Sequence, residues 1–167
     1  MRTLFAVALG LATAAAQPLP AQDAPEASAM LMDAKGAAVG AAAFTSGPHG
    51  VLIRAELMGL PPGAHAIHVH ETGACEPPFE SAGAHFAGGA AEHGFMMAEG
   101  PHAGDLPNIY VPDSGTLTVD LASPATLAEL LDADGSALVV HADADDYRSQ
   151  PAGASGDRIA CGVIAKP

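Results

Sequence analysis

The stretch GVLIRAELMGL, residues 50–60, places Val51, Ile53, Ala55 and Leu57 on one face and Leu52, Arg54 and Glu56 on the other. A period of two belongs to a half-buried β-strand, because successive side chains point to opposite faces of a sheet. The same alternation returns in TLTVDL (116–121) and ALVVHA (137–142), and RIACGVIA (158–165) reads as a closing strand. ASAMLMDAKGAAVGAAAF (27–44) reads as two strands around a turn at Asp33–Gly36, and a Pro-Pro-Gly turn introduces HAIHVHE. Only one segment, near residues 124–131, has room for a short helix. The 19 glycines and 14 prolines lie scattered between these runs, as turn punctuation does. Short strands so spaced predict an all-β antiparallel sandwich or barrel. Two long glycine-rich stretches, 71–114 and 142–157, interrupt it, and loops of that length in a compact domain are functional or stapled.

The N-terminus reads as an export signal. Arg2 supplies a positive charge, LFAVALGLATAAA (4–16) is apolar but too short to span a bilayer, and small residues follow. The expected division is a signal peptide over 1–21, cleaved after Ala16 or Ala21, and a single domain over 22–167. No other apolar run is long enough for a membrane span, so no membrane attachment is expected after cleavage. In an oxidising compartment the two cysteines, Cys75 and Cys161, are expected to pair rather than serve as thiolate ligands. A formal charge of −13 excludes nucleic acid and anionic membrane as natural partners.

The histidines carry the chemistry. HAIHVHETGAC (65–75) holds three of the chain's 8 histidines. On a strand His68 and His70 share a face, close enough for both rings to reach one metal ion, while His65 points away. His85, His93 and His102 follow in the first long stretch, Asp105 comes three residues after His102, and His141 ends a late strand. Six imidazoles and a carboxylate suit copper and zinc. Seven ligands are one short of two four-coordinate sites. The shortfall closes if one imidazole loses both protons and binds a metal through each nitrogen.

HAIHVHETGAC, SAGAHF, GPHAGDLPN, LVVHADADD and GDRIACGVI together resemble, in order and spacing, the exported bacterial copper/zinc superoxide dismutases. The resemblance runs from about residue 28 to 165. It implies an eight-stranded antiparallel Greek-key barrel or sandwich, immunoglobulin-like, with two long functional loops. It also implies conversion of superoxide to O2 and H2O2 by alternate reduction and oxidation of copper, with zinc as a structural and electrostatic partner. Carried over residue by residue, it implies copper on His68, His70, His85 and His141. Zinc would sit on His85, His93, His102 and Asp105, with His85 as the bridging imidazolate. Asp145 would join His68 to His93, Arg158 would receive the anion, and Cys75–Cys161 would be an intramolecular disulfide. The implied location is periplasmic, as a monomer or homodimer. A carrier of the same metals without turnover would need neither Arg158 nor Asp145.

His49 and His65 have no ligand position in that family and read as structural or surface residues. The chain departs from its relatives in two places. Gly88-Gly89 follows Phe86-Ala87 where relatives often carry Phe-Asn-Pro, and a glycine pair costs more backbone entropy to order. Ile67 replaces an aromatic residue. Of the bases, Lys35 and Lys166 are expected far from copper and Arg148 in the second long loop.

Overall fold

The computed structural model describes residues 24–90 and 92–167; the expected signal segment, 1–21, lies outside them. The described chain forms nine strands: β1 (Ala27–Asp33), β2 (Ala38–Gly47), β3 (Gly50–Met58), β4 (Gly63–His65), β5 (Ile67–His70), β6 (Ile109–Val111), β7 (Thr116–Ser123), β8 (Ser136–His141) and β9 (Arg158–Ile164). Seven of them make one sheet in the order β5-β8-β9-β1-β2-β3-β7, and every pairing is antiparallel. β4 pairs with β6, which packs beside β7 at the far edge, so the sheet curls until its two ends approach. The count exceeds the expected eight because Ala66 breaks one strand into β4 and β5. Its carbonyl still accepts from His141 N–H of β8, but its N–H donates past the end of β8 to Asp143 O, so the chain turns here from pairing with β6 to pairing with β8. Joined across that break, β4 and β5 are one bent strand. β6 falls inside the stretch 71–114 that the sequence presents as loop.

The alternating pattern places the core. Val51, Ile53, Ala55 and Leu57 are all buried, as expected, and join Leu31, Phe44, Ile67 and Leu138 inside the barrel. Arg54 on the outer face pairs instead with Asp120 of β7, at 3.2 Å. β8 differs: all six of its residues are buried. Leu138 and Val140 face the main core, while Ala137 and Val139 pack on Phe79, Ala82 and Cys161 in a second, smaller cluster. The loop after β5 thus covers a strand face that would otherwise meet water. Among the described residues the one α-helix, α1 (Leu127–Leu130), is a single turn within the expected segment, held by a capping box between Thr126 and Glu129.

Cys75 and Cys161 form a disulfide that fastens this covering loop to β9, with their Cα atoms 5.7 Å apart and a sequence separation of 86. Closing so long a loop removes entropy from the unfolded chain worth about 4–5 kcal/mol in the chain-entropy model. Replacing both cysteines with serine is therefore expected to lower the unfolding free energy of the metal-free protein by about 4 kcal/mol in urea titrations. An unchanged midpoint and slope would show that the loop is held by its packing alone.

Candidate metal centre

β5 lies at an edge of the sheet, and the chain around the expected zinc ligands covers that edge. Val69 exchanges backbone hydrogen bonds with Phe86 and Gly104, at 2.8 and 2.9 Å, and Glu71 N–H donates to Ala84 O at 2.9 Å. His70 thereby lies opposite His85, and His68 opposite Asp105. Gly104 permits the approach, since a Cβ there would stand 2.3 Å from Val69 O. Ligands distant in sequence meet because main-chain pairing draws the loop onto the strand.

Two clusters result. His68, His70, His85 and His141 each offer a ring nitrogen, and His85, His93, His102 and Asp105 each offer a nitrogen or carboxylate oxygen; within each set these atoms lie within 4.8 Å of one another. All seven residues proposed from sequence fall in one set or the other, and His85 falls in both. His102 is partly exposed and the rest are buried.

Each ring is oriented by its second nitrogen. His70 donates Nδ1–H to Gly83 O at 3.0 Å, leaving Nε2 turned toward His141 Nε2, 3.4 Å away. His141 donates Nδ1–H to Ser155 Oγ at 3.0 Å, and that hydroxyl donates onward to Ala152 O. His68 is turned the other way: Nε2–H donates to Asp145 Oδ2 at 2.9 Å, and Nδ1 faces inward. Such partners fix tautomer and aim, as in many metal sites. Four buried side-chain atoms lack a hydrogen-bond partner among the described residues, and three of them are His68 Nδ1, His85 Nε2 and His102 Nδ1. A buried polar atom left unpaired costs about 1–3 kcal/mol, and a cation in each cluster would satisfy all three. The donors suit the metals: four imidazoles fit copper, and three imidazoles with a carboxylate fit zinc.

Asp145 spans the two clusters. Its Oδ2 accepts from His68 and its Oδ1 from His93 Nε2–H, at 3.0 Å, and from Tyr147 N–H. Its backbone is gripped on both sides by the Asn108 amide, which accepts from Asp145 N–H at 2.8 Å and donates to Asp145 O at 2.9 Å. Gly153 makes room, because a Cβ there would lie 1.8 Å from Asp145 Oδ1. Asn108 stands in the GPHAGDLPN stretch, yet sequence reasoning gave it no role, nor Ser155, Gly83 or Gly153. Gly83 acts through its carbonyl and Gly153 through the space it leaves free, while Asn108 and Ser155 act through side chains whose partners are distant in sequence, and no residue-type pattern displays either.

Arg158, at the start of β9, donates to Phe79 O at 2.7 Å and to Gly83 O at 2.8 Å, the carbonyl that also holds His70. It lines a cleft of about 920 Å³ with His141 on the same wall. Lys35, expected far from the site, lines this cleft too. The reason is register: β1 pairs with β9, setting Asp33 beside Ala160 and the following turn beside Arg158. Asp33, Glu80 and Asp157 share the lining and outnumber the two bases. Arg148 is exposed and outside it. His65 is buried at the hinge, hydrogen-bonded to Pro61 O and His141 O, and belongs to neither cluster.

Burial drives three imidazoles toward the neutral form: His70 down to about 2, His141 to about 3 and His85 to about 4. For His93 burial also opposes the charge, but hydrogen bonds to Asp105 and Asp145 outweigh it and push the pKa up to about 9. Burial opposes ionisation of those carboxyls in turn, and their histidine and backbone N–H partners hold both well below the usual range.

Barrel and paired clusters define a β-barrel metalloprotein built to hold two unlike cations side by side. The sequence pattern of the family described as copper/zinc superoxide dismutase matches residues 38–164. The "Superoxide dismutase [Cu-Zn]" of Caulobacter vibrioides is 46% identical over 147 residues, 83% of this chain and 84% of the relative. "Superoxide dismutase [Cu-Zn] 2" of Aquifex aeolicus is also 46% identical over 147 residues, 83% of this chain and 86% of the relative. Among solved structures, a SOD-like protein from Bacillus subtilis superposes with a TM-score of 0.78 at 40% identity, over 81% of this chain and 96% of that one. The Cu/Zn superoxide dismutase from Brucella abortus gives 0.71 at 29%, over 84% and 100%. The chain belongs to the copper/zinc superoxide dismutase family. It is an enzyme of that activity, with copper and zinc as its cofactors.

The shifted imidazoles set a pH optimum for the metal-free fold. His70, His85 and His141 take up protons near 6.5 when unfolded but only near 2–4 when folded, so stability rises with pH up to about 6.5. His93 is raised, so its contribution is complete below 6.5 and is lost as pH rises through about 9. Denaturant titrations of metal-free protein from pH 5 to 9.5 are expected to peak between about 6.5 and 7. Stability that climbed steadily to pH 9 would contradict the His93 environment.

Proposed function

We propose that His68, His70, His85 and His141 would hold copper, that His85, His93, His102 and Asp105 would hold zinc, and that His85 would belong to both sets. The observation that supports this most directly is the pattern of ring partners. His85 Nδ1 faces Asp105 Oδ1 at 2.8 Å while its Nε2 stands unpaired toward the other cluster. Copper supplies the one-electron change by which one superoxide is oxidised to O2 and a second is reduced to H2O2, and zinc a fixed charge.

The chain's own groups do the remaining work. Arg158, held by two carbonyls with its side chain 17% exposed, offers hydrogen bonds and charge to an incoming anion beside His141. His85 Nε2 is the atom placed to hold a proton and pass it to reduced substrate, while Nδ1 keeps the ring in place. Asp145 holds His68 and His93 in the tautomers that leave Nδ1 of each ring to its cluster. A carrier without turnover has no use for a guanidinium so aimed. The export reading completes the picture: residues 1–21 are removed, residues 22–167 fold as the single domain, and the enzyme works in the periplasm as a monomer or homodimer. The Cys75–Cys161 disulfide suits that compartment.

His85→Ala is expected to weaken zinc binding more than about tenfold, while copper stays on His68, His70 and His141 with an altered visible spectrum. Unchanged zinc affinity together with a wild-type copper spectrum would remove the shared-ligand assignment.

Steering is expected to be weak. Acids outnumber bases in the cleft, so the rate of dismutation should vary little with salt, or rise slightly as overall repulsion is screened. Arg158→Glu should lower the rate most, Lys35→Glu severalfold, and Arg148→Glu least. A steep fall of the wild-type rate with added salt, or Arg148→Glu as the most damaging change, would refute this ordering.

A further inference from the structure

Gln150 stands in the second long loop, five residues beyond Asp145, and its side-chain amide grips the backbone of His93 on both sides. Oε1 accepts from His93 N–H at 3.0 Å, and Nε2 donates to His93 O at 2.9 Å. Only this orientation of the amide satisfies both contacts, since the oxygen can only accept and the nitrogen only donate. The ring of the same histidine is held at Nε2 by Asp145. One loop therefore fixes both the backbone and the imidazole of a single metal ligand. The same loop forms a wall of the anion cleft, through Ser149, Gln150, Pro151 and Ala152. Two further contacts bind the loops: Met96 N–H donates to Tyr147 O at 3.1 Å, and the rings of Phe95 and Tyr147 meet edge to face.

We propose that Gln150 is a positioning residue that latches the zinc-side loop to the cleft wall, so that seating a metal at His93 and setting the shape of the anion entrance are one event. This rests on the assignment of His93 to the zinc set. The latch answers a specific need of this chain. The loop that carries His93 begins with Gly88 and Gly89, both at positive φ, and ordering such a pair costs more entropy than ordering ordinary residues. A paired amide on the ligand's own backbone restores order where the loop's sequence gives little.

Gln150→Met removes both hydrogen bonds at nearly constant shape and charge. Gln150→Glu keeps the acceptor but sets a carboxylate oxygen against His93 O. Zinc release to a chromophoric chelator is to be followed in the copper- and zinc-loaded protein, and amide hydrogen exchange in zinc-loaded and zinc-free forms. The expected result is release about five- to tenfold faster in Gln150→Met, and at least as fast in Gln150→Glu. In the wild type, zinc should slow exchange in both 92–97 and 149–155; in Gln150→Met it should slow the first segment and leave the second largely unprotected. Wild-type release rates in both variants, or zinc-dependent protection of 149–155 that survives Gln150→Met, would overturn the latch while leaving the zinc assignment intact. A wild-type protein that retains no zinc would overturn both.

Discussion

The centre depends on one imidazole belonging to two clusters. His85 lies opposite His70 across β5, and its ring stands with Nδ1 beside Asp105 and Nε2 toward His68, His70 and His141. Each cluster gathers four residues and His85 is counted in both, so neither reaches four without it. The neighbouring residues constrain where that ring can be. The backbone of Phe86 is tied to Val69, and Asp105 is fixed by the N–H groups of Gly94 and His102, at 2.8 and 3.0 Å. Asp105 and Asp145 hold the rings from the His93 side and the unpaired nitrogens of His68 and His85 face inward, so the protein's own hydrogen bonds set the ring orientations.

The barrel supplies rigidity and the loops supply chemistry. His68, His70, His141 and Arg158 all sit on or at the ends of the adjacent strands β5, β8 and β9, where ladder pairing fixes their spacing. The disulfide brings the covering loop to β9, and that loop turns two carbonyls, Phe79 O and Gly83 O, toward Arg158. Gly83 O serves both Arg158 and His70, so the guanidinium and one imidazole of the first cluster are aimed from the same point. Asp145, held by Asn108, does the equivalent for His68 and His93. Anion recognition and metal geometry thus share a few backbone anchors.

Much of this was legible in the sequence because it is carried by residue type and period. Alternation in residues 51–57 located the core face, and the order of histidines around His-x-His indicated two clusters with a shared ring. The disulfide was expected from two cysteines in a chain read as exported. What stayed hidden depends on main-chain groups meeting across the fold. Nothing in the residue types around Ala66 shows that its amide leaves the ladder for Asp143, which splits the expected strand. β6 has only three residues, too few for a period to register, and its partner β4 is equally short. That Lys35 shares a cleft with Arg158 stayed hidden because chain position says nothing of the β1–β9 register. Asn108 and Gln150 act by gripping backbone, and an amide in a loop looks the same whether it grips a ligand or faces water.

The most direct test of the shared imidazole is electron paramagnetic resonance of the protein loaded with Cu(II) at both clusters, with metal analysis on the same sample. A deprotonated ring joining two Cu(II) ions through its two nitrogens couples their unpaired electrons. The account predicts two copper ions per chain and an EPR signal largely lost at low temperature, restored when His85 is replaced or when the pH is lowered enough to protonate the bridge. Two ions per chain giving two full, independent signals in the wild-type protein would contradict it.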